Sequence, residues 1–171
     1  MVQGYFWKTW KRTSKLERRA IKGVLAAKRI LLQNIPRKKL VALYVKGSFV
    51  RREMLPRSDV DMVPIVNDNR YLNRIIAIDK EKRHLYAPAE LLPLSLWEIK
   101  HWKRYSHRNE KGPKGAPSID QFSTYKLIWG KELDATQYPA RTKRGRLKVF
   151  FLHLTTRFCH CTNKSNLAST S

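Results

Sequence analysis

Asp59 and Asp61 stand two residues apart at the start of an apolar run, Val60 to Val66. A strand has a side-chain period of two, so both carboxylates would emerge on one face while Val60 and Met62 turn into the core. Two like charges on one face repel unless a cation lies between them. Magnesium takes few protein carboxylates and completes its shell with substrate phosphate oxygens, which suits such a pair. Gly47-Ser48 supplies the second chemical group, close behind another apolar run, Leu40 to Val45. A glycine at that turn lets the backbone approach a phosphate, since no Cβ intrudes. Ser48 opens a helical-looking stretch, Phe49–Leu55, whose N–H groups and dipole would favour an anion, and its hydroxyl can reach a phosphate oxygen. The two groups read as an anion cradle facing an acid pair.

Other elements must hold these groups in place. Ser14-Lys15-Leu16-Glu17 is a capping box. Behind it Leu16, Ala20, Val24, Ala27 and Leu31 recur at helical spacing until Asn34-Ile35-Pro36 ends the pattern. Leu40–Val45 and Val60–Val66 read as strands, although Pro64 argues against the far end of the second. Asn69 to Lys82 reads as helix, with Leu72, Ile75, Ile76 and Ile78 apolar. Leu85 to Leu94 reads as a third strand, broken by Pro88 and Pro93, which suggests an edge or an irregular end. Leu96–Trp102 returns to helix, and Lys103–Ile119 is a polar loop rich in Lys, Gly and Pro. Tyr125–Trp129 is a short apolar stretch stopped by Gly130. Arg146–Phe158 fits helix or strand equally, and the tail from Thr162 is expected to fray. The fold class this implies is α/β (α+β): a small mixed sheet flanked by helices.

The 171 residues carry 36 Lys and Arg against 13 Asp and Glu, a formal charge of +23. That charge is uneven: residues 1–40 net +11, residues 41–100 net +2 and residues 101–171 net +10. A nearly neutral middle holding most of the carboxylates lies between two basic arms, which suit a polyanion such as RNA. The organisation expected is a basic helical segment over 1–37, a catalytic domain over 38–135 and a basic C-terminal segment over 136–171. Tyr5, Phe6, Trp7 and Trp10 could stack on bases, with core packing as the more ordinary use. The two cysteines, Cys159 and Cys161 around His160, form no disulfide framework and lack a second ligand pair for zinc. No apolar run reaches membrane-spanning length, and Met1–Trp10 has no signal-peptide core, so the expected compartment is the cytoplasm.

Gly47-Ser48, the ten residues Phe49–Ser58 and then Asp59-Val60-Asp61 resemble the signature of the DNA polymerase beta-like nucleotidyltransferase superfamily, especially its minimal, antitoxin-like members. The resemblance covers about residues 40–95 and extends more loosely to Leu133, where Tyr125–Leu133 is similar to a late family stretch with Trp129 in place of Tyr. Ser58, Arg51 and Glu53 also look like that family. The resemblance implies a nucleotidyltransferase fold and a transfer of a nucleoside monophosphate from an NTP, ATP foremost, to an acceptor hydroxyl. It implies that Asp59, Asp61 and a third acid hold magnesium, two ions about 4 Å apart in such sites. Glu90 stands where the third acid falls, though the family more often has Asp there; Asp79 and Glu98 are weaker candidates on helices. Gly47, Ser48, Arg51 and Arg52 would bind the substrate phosphates.

The acceptor stays open between an RNA end, a protein and a small molecule. The alternative is a non-catalytic module on the same fold that binds nucleic acid or neutralises a toxin protein. Against it, a mere polyanion binder gains nothing from two adjacent like charges on a strand.

Overall fold

The computed structural model describes residues 5–101, 103–105 and 119–138. The Arg146–Phe158 segment, the tail from Thr162, the Cys159-His160-Cys161 cluster and most of the Lys103–Ile119 loop lie outside the described residues.

Helix α1, Lys15–Asn34, starts where the capping box puts it. The Glu17 N–H donates to Ser14 Oγ at 3.1 Å, and the Ser14 N–H donates to Glu17 Oε2 at 2.6 Å. Its buried stripe of Ala20, Val24, Ala27 and Leu31 follows the helical period. Then come β1, Leu40–Lys46; α2, Ser48–Arg51; β2, Val60–Val66; and α3, Arg70–Lys82. The chain continues through β3, Ala89–Leu91; β4, Leu94–Ser95; α4, Leu96–His101; and β5, Lys126–Gly130.

The sheet runs β3-β2-β1-β5, with β4 also pairing with β2. Strand β1 lies antiparallel to β2 and β5, whereas β2 lies parallel to β3 and β4, so the sheet is mixed and open. Its two central strands are apolar on both faces because both faces are covered. Leu43, Val45, Val60 and Met62 pack with α1 on one side. Ala42, Tyr44, Val63 and Ile65 face the other way, against Ile99, Ile119 and Phe122. Among the described residues no helix is long and apolar enough to cross a membrane.

Three sequence expectations change. Pro64 does not end β2, because its nitrogen points at a gap. Val60 N–H donates to the Pro88 carbonyl and Leu92 N–H donates to the Met62 carbonyl, so even positions of β2 face β3 and β4. Between those strands the neighbour breaks at Leu92-Pro93, where no ladder bond is lost to a proline. The expected strand Leu85–Leu94 is accordingly two short ones, preceded by a turn of 3₁₀ helix at Arg83–Leu85. The helix expected over Phe49–Leu55 is one turn only. Arg52 closes it in the left-handed region, at φ 62° and ψ 35°.

Where α1 crosses the chain ahead of β3, the contact is backbone to backbone. A Cβ added at Gly23 would lie 2.5 Å from the Tyr86 carbonyl oxygen. Alanine favours a helix interior by about 1 kcal/mol over glycine, yet overpacking of this kind costs about 1–3 kcal/mol. We expect Gly23→Ala to lower stability in urea denaturation; a net gain would show that the crossing yields freely.

Candidate active site

The β1–β2 hairpin pairs Lys46 with Asp61. The next residue, Gly47, leaves β1 at φ 80°, a left-handed value that favours glycine, and turns the chain into α2. A Cβ on Gly47 would lie 3.1 Å from Asp61 Oδ2, so the glycine backbone stands directly against that carboxylate. The Gly-Ser turn and the acid pair, separated by ten residues of sequence, therefore meet at one end of the hairpin. With α2 reduced to a single turn, a helix dipole would contribute little to an anion here, which leaves the Gly47 backbone and Ser48 for the expected cradle.

Asp59 is exposed just ahead of β2, and Asp61 is half-buried within it. Strand alternation sends Asp61 to the face that carries Val63 and Ile65, opposite α1, while Asp59, ahead of the strand, lies close enough for its charge to act on Arg83. In β3, Glu90 is the register partner of Asp61, on the same face and about one strand spacing (~4.8 Å) away. Each of the two inner acids faces a cation. Lys46 Nζ lies 3.8 Å from Asp61 Oδ2. The Arg83 guanidinium is ion-paired with Glu90 and lies 3.5 Å from Asp79 Oδ2. Burial works against the charge of Arg83, but the Glu90 hydrogen bond and the fields of Asp79, Glu90 and Asp59 outweigh it and hold the guanidinium above its ordinary value. Among the described residues no three His, Cys, Asp or Glu side chains are gathered as a metal-holding cluster. Glu90 thus stands beside Asp61 in the sheet, while its carboxylate is turned to Arg83.

Lys46 and Arg83 escaped the sequence reading. Lys46 was legible as the residue next to Gly47; Arg83 was not, because only the register of β3 and the 3₁₀ turn before it bring it to the acids. Tyr125 flanks the same region: Lys46 Nζ lies 5.8 Å from its ring centroid. Burial first, and then the Asp61 carboxylate, push the Tyr125 phenol up to about 12.

The two arginines expected on the phosphates are placed otherwise. Arg51 pairs with Glu53 at 2.7 Å on an exposed surface. Arg52 turns back onto α1. Its Nε donates to Glu17 Oε1 at 2.8 Å, Nη2 donates to the Arg12 carbonyl at 2.5 Å, and the guanidinium lies 4.5 Å from the Trp10 ring centroid. Asp79 accepts from the Tyr86 hydroxyl at 2.9 Å and from the Leu91 N–H at 3.0 Å, so it anchors β3 on α3. Glu98 forms a second capping box with Ser95. Ser58 Oγ accepts from the Leu55 N–H at 2.8 Å and closes the turn before the acids. The N-terminal aromatics pack rather than project: Phe6, Trp7 and Trp10 all lie against Phe49 of α2.

The sequence matches no protein-family model and no curated protein. Among solved structures it is similar to a "putative nucleotidyltransferase" from Sulfolobus solfataricus, at 16% identity over 71% of this chain and 93% of that one, with a TM-score of 0.44. It is also similar to a toxin–antitoxin with AMP-PNP, at 17% identity over 87% of this chain and 97% of that one, TM-score 0.38. A third similarity is to a mutant of the toxin–antitoxin MntA-HpeT carrying two Asp→Glu substitutions, at 16% identity over 87% and 97% of the respective chains, TM-score 0.38. Identities this low carry no residue's role across.

The Glu17–Arg52 pair, which ties α2 to α1, is testable by pH. The Arg52 hydrogen bond, opposed by burial and helped by Ser14, holds the Glu17 carboxyl below its ordinary 4.5. A depressed folded value means that the pair stabilises fully above the unfolded value and loses that contribution as pH falls through the folded one. Glutamine keeps the capping box and removes the charge. The stability gap between the native chain and Glu17→Gln, read by urea denaturation, should be widest above about pH 4.5 and close as pH drops. A gap independent of pH would rule out the ionic contribution.

Proposed function

We propose that this chain is a magnesium-dependent nucleotidyltransferase, moving a nucleoside monophosphate from an NTP, ATP foremost, to an acceptor hydroxyl. The observation that carries the reading is the close approach of the Gly47 backbone to Asp61 at the end of the β1–β2 hairpin. An anion cradle is useful beside a carboxylate only if a cation is shared between them. The donors suit magnesium: Asp59 and Asp61 offer hard oxygens, and the missing side chain of Gly47 leaves open the space that a Cβ would fill.

In this reading Asp59 and Asp61 hold the ion, and Gly47 and Ser48 receive phosphate oxygens. A bound divalent ion supplies charge neutralisation along the polyphosphate and polarises the phosphorus under attack. Lys46 and Arg83 now neutralise Asp61 and Glu90. With substrate bound, Lys46 and Arg83 would be the cations placed to steady the departing pyrophosphate. Glu90 joins the acid pair as a further ligand only by exchanging Arg83 for metal. The basic arms suit an RNA end as acceptor, and a protein hydroxyl or a small molecule are the other classes.

A second reading has one observation in its favour. The commitment of Glu90 to Arg83 leaves two acids rather than three facing the cradle. That suits a non-catalytic module on the same fold, one that neutralises a toxin partner or binds nucleic acid without transferring nucleotide. Isothermal titration of ATP separates the two. The enzyme reading predicts binding that requires Mg²⁺ and weakens at least about tenfold in Asp59→Asn/Asp61→Asn, a loss of about 1.4 kcal/mol. ATP affinity indifferent to both the metal and the substitutions would leave the non-catalytic module standing.

A further inference from the structure

Among the described residues most large aromatic rings pack inward; those around α4 do not. Trp97 is 40% exposed and Tyr105 is 52% exposed. The Trp97 ring stacks on His101, with centroids 4.5 Å apart and planes at 26°, and meets Tyr105 edge-on at 5.8 Å. The cluster is fixed from beneath. His101 Nδ1–H donates to the Trp97 carbonyl at 2.8 Å, and the Tyr105 N–H donates to Glu98 Oε1 at 2.9 Å. Glu98 itself is buried, so its charge is turned inward. The exposed charged side chains interleaved with the rings are Lys100, Lys103 and Arg104, all cationic.

We propose that Trp97, His101 and Tyr105, with Lys100, Lys103 and Arg104 among them, form a binding surface for single-stranded nucleic acid. Bases stack on the rings whatever their identity, because each has a π-face, and the cations meet the phosphates between them. A duplex hides its base faces and gains only from the cations. An apolar protein partner would be opposed by three charges needing desolvation. Binding of a strand here does not depend on nucleotide transfer.

The test uses the full chain and a labelled oligouridine of about 12 nucleotides, read by fluorescence anisotropy. Trp97→Ala and Tyr105→Ala should each weaken binding by about fivefold or more, while Trp97→Phe keeps most of the affinity. A duplex RNA of equal length should bind more weakly and ignore the ring substitutions. Replacing Lys100, Lys103 and Arg104 by Gln should lower the slope of log affinity against log salt by about 2. Asp59→Asn/Asp61→Asn should bind the oligonucleotide as the native chain does, so failure of the transferase reading leaves this result intact. Unchanged affinity in folded Trp97→Ala and Tyr105→Ala, or equal affinity for duplex, would overturn the proposal. So would ring variants that keep oligonucleotide binding but lose a co-purifying protein, which would assign the surface to that protein.

Discussion

The register of β1 against β2 is the constraint on which the rest depends. It sets Lys46 opposite Asp61, and Gly47 follows one residue later. A slip of one position would send Asp61 toward α1 and bring Val60 or Met62 to the cradle. Both strands are buried on both faces, so such a slip would also mismatch two cores at once. The second core pins β1 from the far side, where the Leu133 N–H donates to the Tyr44 hydroxyl at 2.8 Å. Site geometry and core packing are thus one choice, made by the same hairpin.

The turn after Gly47 is too short to hold itself. Its four helical residues are steadied by α1 and the aromatic segment ahead of it. Phe49 sits among Phe6, Trp7 and Trp10, while Arg52, strained into the left-handed region, is bound by Glu17. Glu17 therefore serves two elements, closing the N-terminus of α1 through Ser14 and fixing the exit of α2. At that junction its charge is held by Arg52 and the Ser14 N–H.

Much of this architecture was legible in the sequence because its signals are local. The Ser14–Glu17 box, the apolar stripe of α1 and the apolar runs of β1 and β2 each have a period or cap that short-range chemistry dictates. What was not legible depends on neighbours. The tolerance of Pro64 is decided by a gap in the adjacent strand, and the early end of α2 by the capture of Arg52 at Glu17, far away in sequence. The same holds at the site. The period of β2 placed Asp61 opposite α1, but the partners of the acids, Lys46 and Arg83, follow from strand register and a 3₁₀ turn that no periodicity announces. Arg51 and Arg52, assigned to phosphates by resemblance, belong to an exposed pair and to the helix junction.

The acid face now carries its own counter-charges, Lys46 on Asp61 and Arg83 on Glu90. Under the proposed function these cations would give way to metal and move to the substrate phosphates. That exchange is the central claim, and a crystal structure with Mn²⁺ and a non-hydrolysable ATP analogue tests it most directly. The account predicts an anomalous peak about 2.1 Å from carboxylate oxygens of Asp59 and Asp61, with the triphosphate against Gly47 and Ser48. Manganese bound elsewhere, with Lys46 still on Asp61 and the nucleotide away from Gly47, would contradict it.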